Sequence, residues 1–175
     1  MYFYSAMPLS LVSRVYVGHY WYNVAENERS SFYTKERGLE QVEIEKIVAH
    51  AHVLHERGFN CAQSVACACA GLIGVDQAIA FKLTEGLGGG LGGFTETCGA
   101  IAGGAAVLGF ATSDGPHNPK TKGRTYQLTR QLVARFAERN GSTLCKELKG
   151  LAGGPVLRTC PDCVDDAIRM TLELL

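Results

Sequence analysis

The sequence predicts an all-α fold, a helical bundle of about five to six helices with a glycine-rich loop, preceded by an aromatic N-terminal extension. From Leu39 onward, apolar residues recur at helical spacing, and caps and glycine stops divide this region into short helices. No convincing strand pattern follows residue 39. The preceding residues differ, since nine of the fifteen aromatic residues lie within 1–38. We therefore divide the chain into an extension, 1–38, and a helical domain, 39–175.

Length and charge restrict the function. With 175 residues, the chain can bury a core without disulfide support. Lys plus Arg and Asp plus Glu number 17 each, and the resulting net charge of zero argues against nucleic acid or an anionic membrane surface as the main partner. No segment reaches the length of a membrane span, and the N-terminus lacks the pattern of a secretory signal. We expect a cytoplasmic protein that binds neither nucleic acid nor membrane.

The N-terminal extension combines β-branched and aromatic residues between Leu11 and Tyr22. This composition is typical of a strand or hairpin, and it also suits an arm that lies on a partner. Because so much apolar surface outside the main domain favours a partner, we expect a homodimer formed through this segment.

The first three helices are predicted from their start and stop signals. Apolar residues at helical spacing define the first helix, which ends at Gly58. In "GFNCAQSV", Asn60 caps a second helix from Cys61 to about Leu72, and Gln63 completes a capping box. A third, short helix begins after Asp76 and ends near Glu85. The apolar positions of the first helix are Ile44, Ile47, Val48, Ala51 and Leu54.

Six glycines then fall within 86–93, in the stretch "GLGGGLGG". The stretch matches G-x-G-x-x-G, but a dinucleotide site needs a preceding strand, and none is predicted here. A tight loop that allows close backbone approach to a ligand or helix is the better interpretation. Since the loop leads directly to Cys98, its amides are expected to line the site. The predicted lining residues are Gly88, Gly89, Gly90, Gly92 and Gly93.

Four further helices complete the prediction. "CGAIAGGAAVLGF" predicts a helix of small residues that brings backbones close together. The next helix has Asn118 as its cap, proline at its first position and Gly141 as its stop. Ser142 caps a short helix through Lys149, and Cys160 opens the last one.

The seven cysteines separate into two groups by position. Cys61, Cys98, Cys145 and Cys160 lie at the starts of four different helices. Unsatisfied N–H groups at helix starts stabilise thiolates or a thiolate-ligated metal centre, so these four are expected to converge on one site. Cys67 and Cys69 lie inside a helix, where buried cysteine acts as a small apolar residue. Core packing is also the commonest role of any single cysteine, and only the pattern of four favours function.

Two weaker signals lie near these cysteines. "CPDC", Cys160 to Cys163, has the spacing of a thiol–disulfide oxidoreductase, but the strand that usually precedes such a motif is missing. His50, His52 and His55 are explained by solvated helix faces.

Four segments together resemble the C_GCAxxG_C_C family of redox-active proteins: "GFNCAQSV", "GLGGGLGGFTETCGAIAGGAAVLG", "NGSTLCKELKG" and "CPDCVDDA". The resemblance covers roughly residues 41–175. It implies an all-helical domain whose four recurrent cysteines correspond to Cys61, Cys98, Cys145 and Cys160. Cys67, Cys69 and Cys163 are outside the family pattern, as are residues 1–38.

The favoured hypothesis is a redox or electron-transfer protein in which those four cysteines bind iron or an iron–sulfur cluster, with zinc a weaker alternative. The second hypothesis is a metal-free thiol–disulfide protein, with Cys61 or Cys98 as the attacking thiol of lowered pKa. The third is a helical module in which the cysteines only pack. In the first two, Cys61 and Cys98 are the catalytic candidates, and an unidentified redox partner is expected.

Overall fold

The computed structural model describes residues 39–175 in full, together with two strands nearer the N-terminus. These strands, β1 (Arg14–Val17) and β2 (Tyr20–Asn23), pair antiparallel, with Val15 opposite Tyr22. The chain divides into two compact units, Met1–Thr34 and Lys35–Leu175. The remainder of the extension and its predicted role in a homodimer lie outside the described residues.

The all-α prediction is confirmed for residues 39–175, which form seven α-helices. Each of the seven corresponds to a segment predicted from the sequence, and the two shortest, α3 and α6, with eight and four residues, account for the excess over the expected five to six. None of the seven has both the length and the apolar composition needed to cross a membrane. The helices are α1 (Gln41–Glu56), α2 (Cys61–Cys69), α3 (Gln77–Thr84), α4 (Gly99–Thr112), α5 (Lys122–Asn140), α6 (Cys145–Leu148) and α7 (Cys160–Leu174).

Predicted caps fix the starts of α2 and α3. Asn60 Oδ1 accepts the Gln63 N–H at 2.9 Å, and Gln63 Oε1 accepts the Asn60 N–H at 3.0 Å, which is the reciprocal capping box. Asp76 Oδ1 accepts the N–H of Ala78 at 2.8 Å. Such a cap stabilises a helix by about 1 kcal/mol, because it satisfies an otherwise unpaired N–H group.

Several predicted boundaries differ from the structure. Helix α2 ends at Cys69, three residues earlier than expected. Asn118 and its proline begin a short 3₁₀ turn, so α5 starts only at Lys122, although Gly141 ends it in the left-handed conformation as predicted. Ser142 Oγ accepts the Leu144 N–H at 3.0 Å and closes a turn, so α6 starts at Cys145.

Helix α4 lies at the centre of the domain, where it packs against α2, α5 and α7. A Cβ atom at Gly103 would lie 2.6 Å from the Ala62 carbonyl oxygen, and one at Gly104 would lie 2.5 Å from Thr171 Oγ1. Only glycine permits such approaches, so the predicted small-residue packing is confirmed. This packing holds the start of α2 and the C-terminal half of α7 against the middle of α4.

A buried carboxylate fixes the segment that leads into α7. Asp166 is 1% exposed and pairs with Arg139 at 2.8 Å and with Arg158 at 3.0 Å. A carboxylate this buried is stable only when it is paired and hydrogen-bonded. Because Arg158 lies two residues before Cys160, this pair orients the chain as it enters the helix.

Candidate functional site

Five cysteines from four helices meet at one end of the bundle. Their sulfurs lie close enough to hydrogen-bond or to change one another's pKa through charge. The structure therefore brings together the four cysteines singled out in the sequence, and it adds a fifth. Cys61, Cys145 and Cys160 are the first residues of α2, α6 and α7; Cys98 is the N-cap of α4; and Cys163 lies in the first turn of α7.

Two backbone hydrogen bonds join the chain entering α4 to the chain entering α6. The Cys98 N–H donates to the Thr143 carbonyl oxygen at 2.8 Å, and the Cys145 N–H donates to the Glu96 carbonyl oxygen at 2.9 Å. Together they form an isolated antiparallel bridge. Cys98 and Cys145 are thus brought together although they are far apart in sequence.

The glycine-rich loop contacts the site at two of its five predicted positions. A side chain at Gly88 would overlap Asn60, whose Nδ2 also donates to the Glu85 carbonyl oxygen at 2.9 Å. A Cβ atom at Gly90 would lie 2.7 Å from Cys145 Cβ. At the other three positions, an added Cβ atom would contact Phe94 from Gly89, open space from Gly92 and Thr95 from Gly93.

The loop has a strained backbone. Residues 89–92 are successively left-handed, with φ between 56° and 82°, and Phe94 follows at 61°. Leu91 and Phe94 are not glycines, so each adopts this conformation at a cost of roughly 1–2 kcal/mol. Strain of this kind persists only where the surrounding structure imposes it, and it is concentrated at functional sites.

Cys61 and Cys160 form the first thiol pair. The pKa of Cys160 is lowered to about 5, because it accepts a hydrogen bond from the Cys61 S–H and another from Lys149. Lys149 Nζ lies 3.1 Å from Cys160 Sγ and 5.5 Å above the centre of the Phe94 ring. The same contact with Cys160, together with burial, raises the pKa of Cys61 far above its usual value. Cys160 is therefore the thiolate and Cys61 the donor.

Cys98 and Cys163 form the second pair. The hydrogen bond from Cys163 lowers the pKa of Cys98, and the N–H groups of Ala100 and Ile101 at the start of α4 add to the effect. The pKa of Cys163 is raised by that same hydrogen bond and by burial. Cys145 stays outside both pairs, and burial together with the nearby Cys98 raises its pKa.

Of the two cysteines expected to have a lowered pKa, Cys98 has one, whereas the pKa of the other candidate, Cys61, is raised. Its position at a helix start was correctly predicted, but Cys160 also starts a helix and in addition receives the Lys149 ammonium and the Cys61 proton. Cys160 is also the most accessible of the seven cysteines, since the other six are buried. The most accessible thiol is therefore also one whose pKa favours the thiolate form.

Sequence reasoning missed two residues of the site, Cys163 and Lys149. The signal for Cys163 was the C-x-x-C spacing, which was set aside because no strand precedes it. Lys149 follows Cys145 by four residues, a spacing that places it beside the site. His55, assigned to a solvated face, lies near enough to act on Cys160 through its charge.

Cys67 and Cys69 lie apart from the five thiols, as expected of core residues. Cys67 Sγ donates to the Gln77 carbonyl oxygen at 3.7 Å. Burial alone raises the pKa of Cys67 to about 11 and that of Cys69 to about 12. At neutral pH both thiols are therefore protonated, and protonated thiols are poor nucleophiles.

Comparison with known proteins identifies the chain's relatives. Residues 59–174 match the family model described as "Putative redox-active protein (C_GCAxxG_C_C)". The chain belongs to this family. The match covers α2 to α7 and all seven cysteines, so the resemblance noted from the four motifs is confirmed. No curated protein and no solved structure matches the chain.

A metal cofactor is compatible with this redox-active family, so the thiols were compared with the needs of a metal site. Their chemistry is suitable, because soft thiolates bind iron–sulfur clusters and zinc. Within residues 39–175, no group of three or more His, Cys, Asp or Glu side chains is arranged to hold a metal ion.

Proposed function

We propose that this protein is a thiol–disulfide redox protein in which Cys160 attacks and Cys61 resolves. One observation carries the proposal: Cys160 Sγ, the most accessible of the seven cysteine sulfurs, lies 3.1 Å from Lys149 Nζ, and Cys61 lies near enough to lower the pKa of Cys160 further. Thiolate is the reactive form of cysteine, and a resolving thiol must lie within reach of it. Both requirements are met by this pair.

The reaction consists of two exchanges. The Cys160 thiolate attacks one sulfur of a disulfide in the redox partner, forming a mixed disulfide and releasing the partner's other sulfur as thiolate. Cys61 then transfers its proton to that thiolate and attacks Cys160 Sγ, so that the second partner sulfur leaves. The partner disulfide has gained two electrons, and Cys61 and Cys160 are joined as a disulfide.

The seven free cysteines suit a reducing compartment, so we propose the cytoplasm as the place of action. There the reduced form is the resting state, and a disulfide-bearing small molecule or protein is the class of partner.

Mass spectrometry of reduced, chelator-treated protein tests the proposal. After reaction with dithiobis-nitrobenzoate and alkylation of the remaining thiols, we expect a disulfide that includes Cys160. Cys61→Ser should accumulate the mixed nitrobenzoate disulfide on Cys160, and Cys160→Ser should lose the rapid reaction. Cys67→Ser is the control and should behave as wild type. Rapid labelling of Cys67 or Cys69 in place of Cys160 would refute the proposal.

A second candidate is iron or an iron–sulfur cluster bound by Cys61, Cys98, Cys145 and Cys160. The observation that favours it is the crowding of these soft ligands at helix starts, where N–H groups offset the negative charge of a thiolate centre. When bound, such a cluster would supply one-electron transfer. Anaerobic purification with metal analysis and an absorption spectrum tests it: a brown protein with stoichiometric iron supports the cluster, and iron-free protein with rapid thiol exchange contradicts it.

A further inference from the structure

The glycine-rich loop presents two large apolar side chains at the surface, Leu91 and Phe94, which are 56% and 43% exposed. Both have a positive φ, 56° and 61°, a conformation that glycine adopts without strain. Because each side chain is only partly buried, packing within the domain offsets only part of this strain. Glycine, which occupies the neighbouring positions 89, 90, 92 and 93, would relax the loop at both places. A contact outside the fold therefore explains these two side chains better than the fold does.

The Phe94 ring lies beside the sulfur that performs the exchange. Lys149 Nζ is 3.1 Å from Cys160 Sγ and 5.5 Å from the centre of the ring, so the ring and the sulfur are no further apart than these two distances together. An extended peptide advances about 3.3–3.6 Å per residue. A residue one or two positions from the cysteine that Cys160 attacks would therefore reach the ring.

The chemistry of this surface favours an apolar occupant. Leu91 and Phe94 are separated by two glycines, which carry no side chain that could shield the ring. Within residues 39–175, the cation that lies over the ring is the Lys149 ammonium, and it is already engaged with Cys160 Sγ. Apolar and aromatic side chains bind such a surface by burying area and by ring stacking.

We propose that Leu91 and Phe94 form the partner-recognition surface of the exchange site, and that the partner is a protein segment with apolar side chains flanking the cysteine that Cys160 attacks. The inference rests on the thiol–disulfide function proposed above and names the chemistry of its substrate. Cys160 performs the exchange, and the loop selects the disulfide that it meets.

Two probe peptides of equal length and charge test the recognition. Each is a symmetric disulfide dimer, and its cysteine is flanked on both sides by phenylalanine in one peptide and by serine in the other. Mass spectrometry follows exchange with reduced, chelator-treated protein and identifies the cysteine that is modified. After division by each peptide's rate with free cysteine, the wild type should react about tenfold faster with the phenylalanine peptide, which is the discrimination that one apolar contact provides.

The readout for the variants is the ratio of the two peptide rates, because the ratio cancels any change in the intrinsic reactivity of Cys160. Phe94→Gly should lower the ratio to about twofold or less, and Leu91→Gly should lower it by a smaller factor. Phe110→Ala is the matched control, since Phe110 is 54% exposed near the C-terminal end of α4, and its ratio should equal that of the wild type. Circular dichroism controls for folding. A folded Phe94→Gly with the wild-type ratio would overturn the proposal.

The same measurements separate failure of the recognition from failure of the proposed function. If both peptides modify Cys160 of the wild type at the same rate, the exchange function stands and the recognition is refuted. If neither peptide modifies Cys160, the proposed function itself fails. If Phe94→Gly converts a dimeric wild type into a monomer in analytical ultracentrifugation, the ring contacts a second copy of the chain, and its role in partner recognition is overturned.

Discussion

Replacing Lys149 with methionine tests the electrostatic basis of the site. Methionine keeps about the length of the side chain, but the ammonium that lies 3.1 Å from Cys160 Sγ and 5.5 Å above the centre of the Phe94 ring is lost. A hydrogen bond to a charged group contributes about 1.5–3 kcal/mol, and the lower end applies because Lys149 is only half-buried. Since 1.36 kcal/mol corresponds to one pKa unit, the pKa of Cys160 should rise by about 1.

The assay is the rate of Cys160 alkylation against pH in reduced, metal-free protein, followed peptide by peptide. In the wild type the midpoint of the profile should lie near the Cys160 pKa of about 5. In Lys149→Met it should lie about one pH unit higher. The plateau above the midpoint should rise by about threefold, because a more basic thiolate is a better nucleophile. A lower rate at all pH values would instead indicate misfolding.

Lys146→Met is the matched control, since Lys146 belongs to α6 and is not among the groups that shift the Cys160 pKa. Its profile should coincide with that of the wild type. If Lys149→Met leaves the midpoint unchanged, or if Lys146→Met moves it equally, then the contact between Lys149 and Cys160 does not stabilise the thiolate, and the assignment of Cys160 as nucleophile loses its basis.

Three other measurements test the packing and the charges. In urea unfolding, Gly90→Ala should lower the free energy of unfolding by about 2–4 kcal/mol, because the added Cβ atom would overlap Cys145. The control Gly92→Ala should lower it by only about 1 kcal/mol of backbone strain, because the added Cβ atom would lie in open space. Cys67→Ala should lose about 1 kcal/mol and keep the wild-type disulfide map, and a changed map would contradict its placement in the core. As pH rises from about 5 to 9, the free energy of unfolding of the wild type should increase relative to that of Cys160→Ser. In this pH range the Cys160 thiol is deprotonated in the folded state and still protonated in the unfolded state. A difference in the free energy of unfolding that stays constant with pH would refute the lowered pKa.

Local sequence signals predicted the placement of the thiols well. The capping box at Asn60 and the glycine stop at Gly141 act within a few residues, and both appear in the structure as expected. Helix starts are local features too, and for this reason the four cysteines could be singled out from the capping pattern. Their meeting depends on α4, whose small residues were recognised as suited to close packing.

The charge distribution could not be predicted from the same signals. A helix start favours thiolate at every one of the four cysteines, so position alone does not rank them. The order of the cysteine pKa values depends on which thiols are neighbours and on the Lys149 ammonium. Lys149 contacts Cys160 although the two residues are eleven positions apart in the sequence. Cys163 was missed for a similar reason: its spacing to Cys160 is visible in the sequence, but its partner Cys98 becomes adjacent only through packing.

Alternation of donors and acceptors explains how five thiols share so small a space. Neighbouring thiolates raise one another's pKa, so all five cannot ionise together. In this site each thiolate has a protonated neighbour: Cys61 donates to Cys160, and Cys163 donates to Cys98. The Lys149 ammonium offsets one negative charge, and the N–H groups at the start of α4 offset the other. Each pair therefore holds a nucleophile and a proton donor before any partner arrives, which is the state that two successive exchanges require.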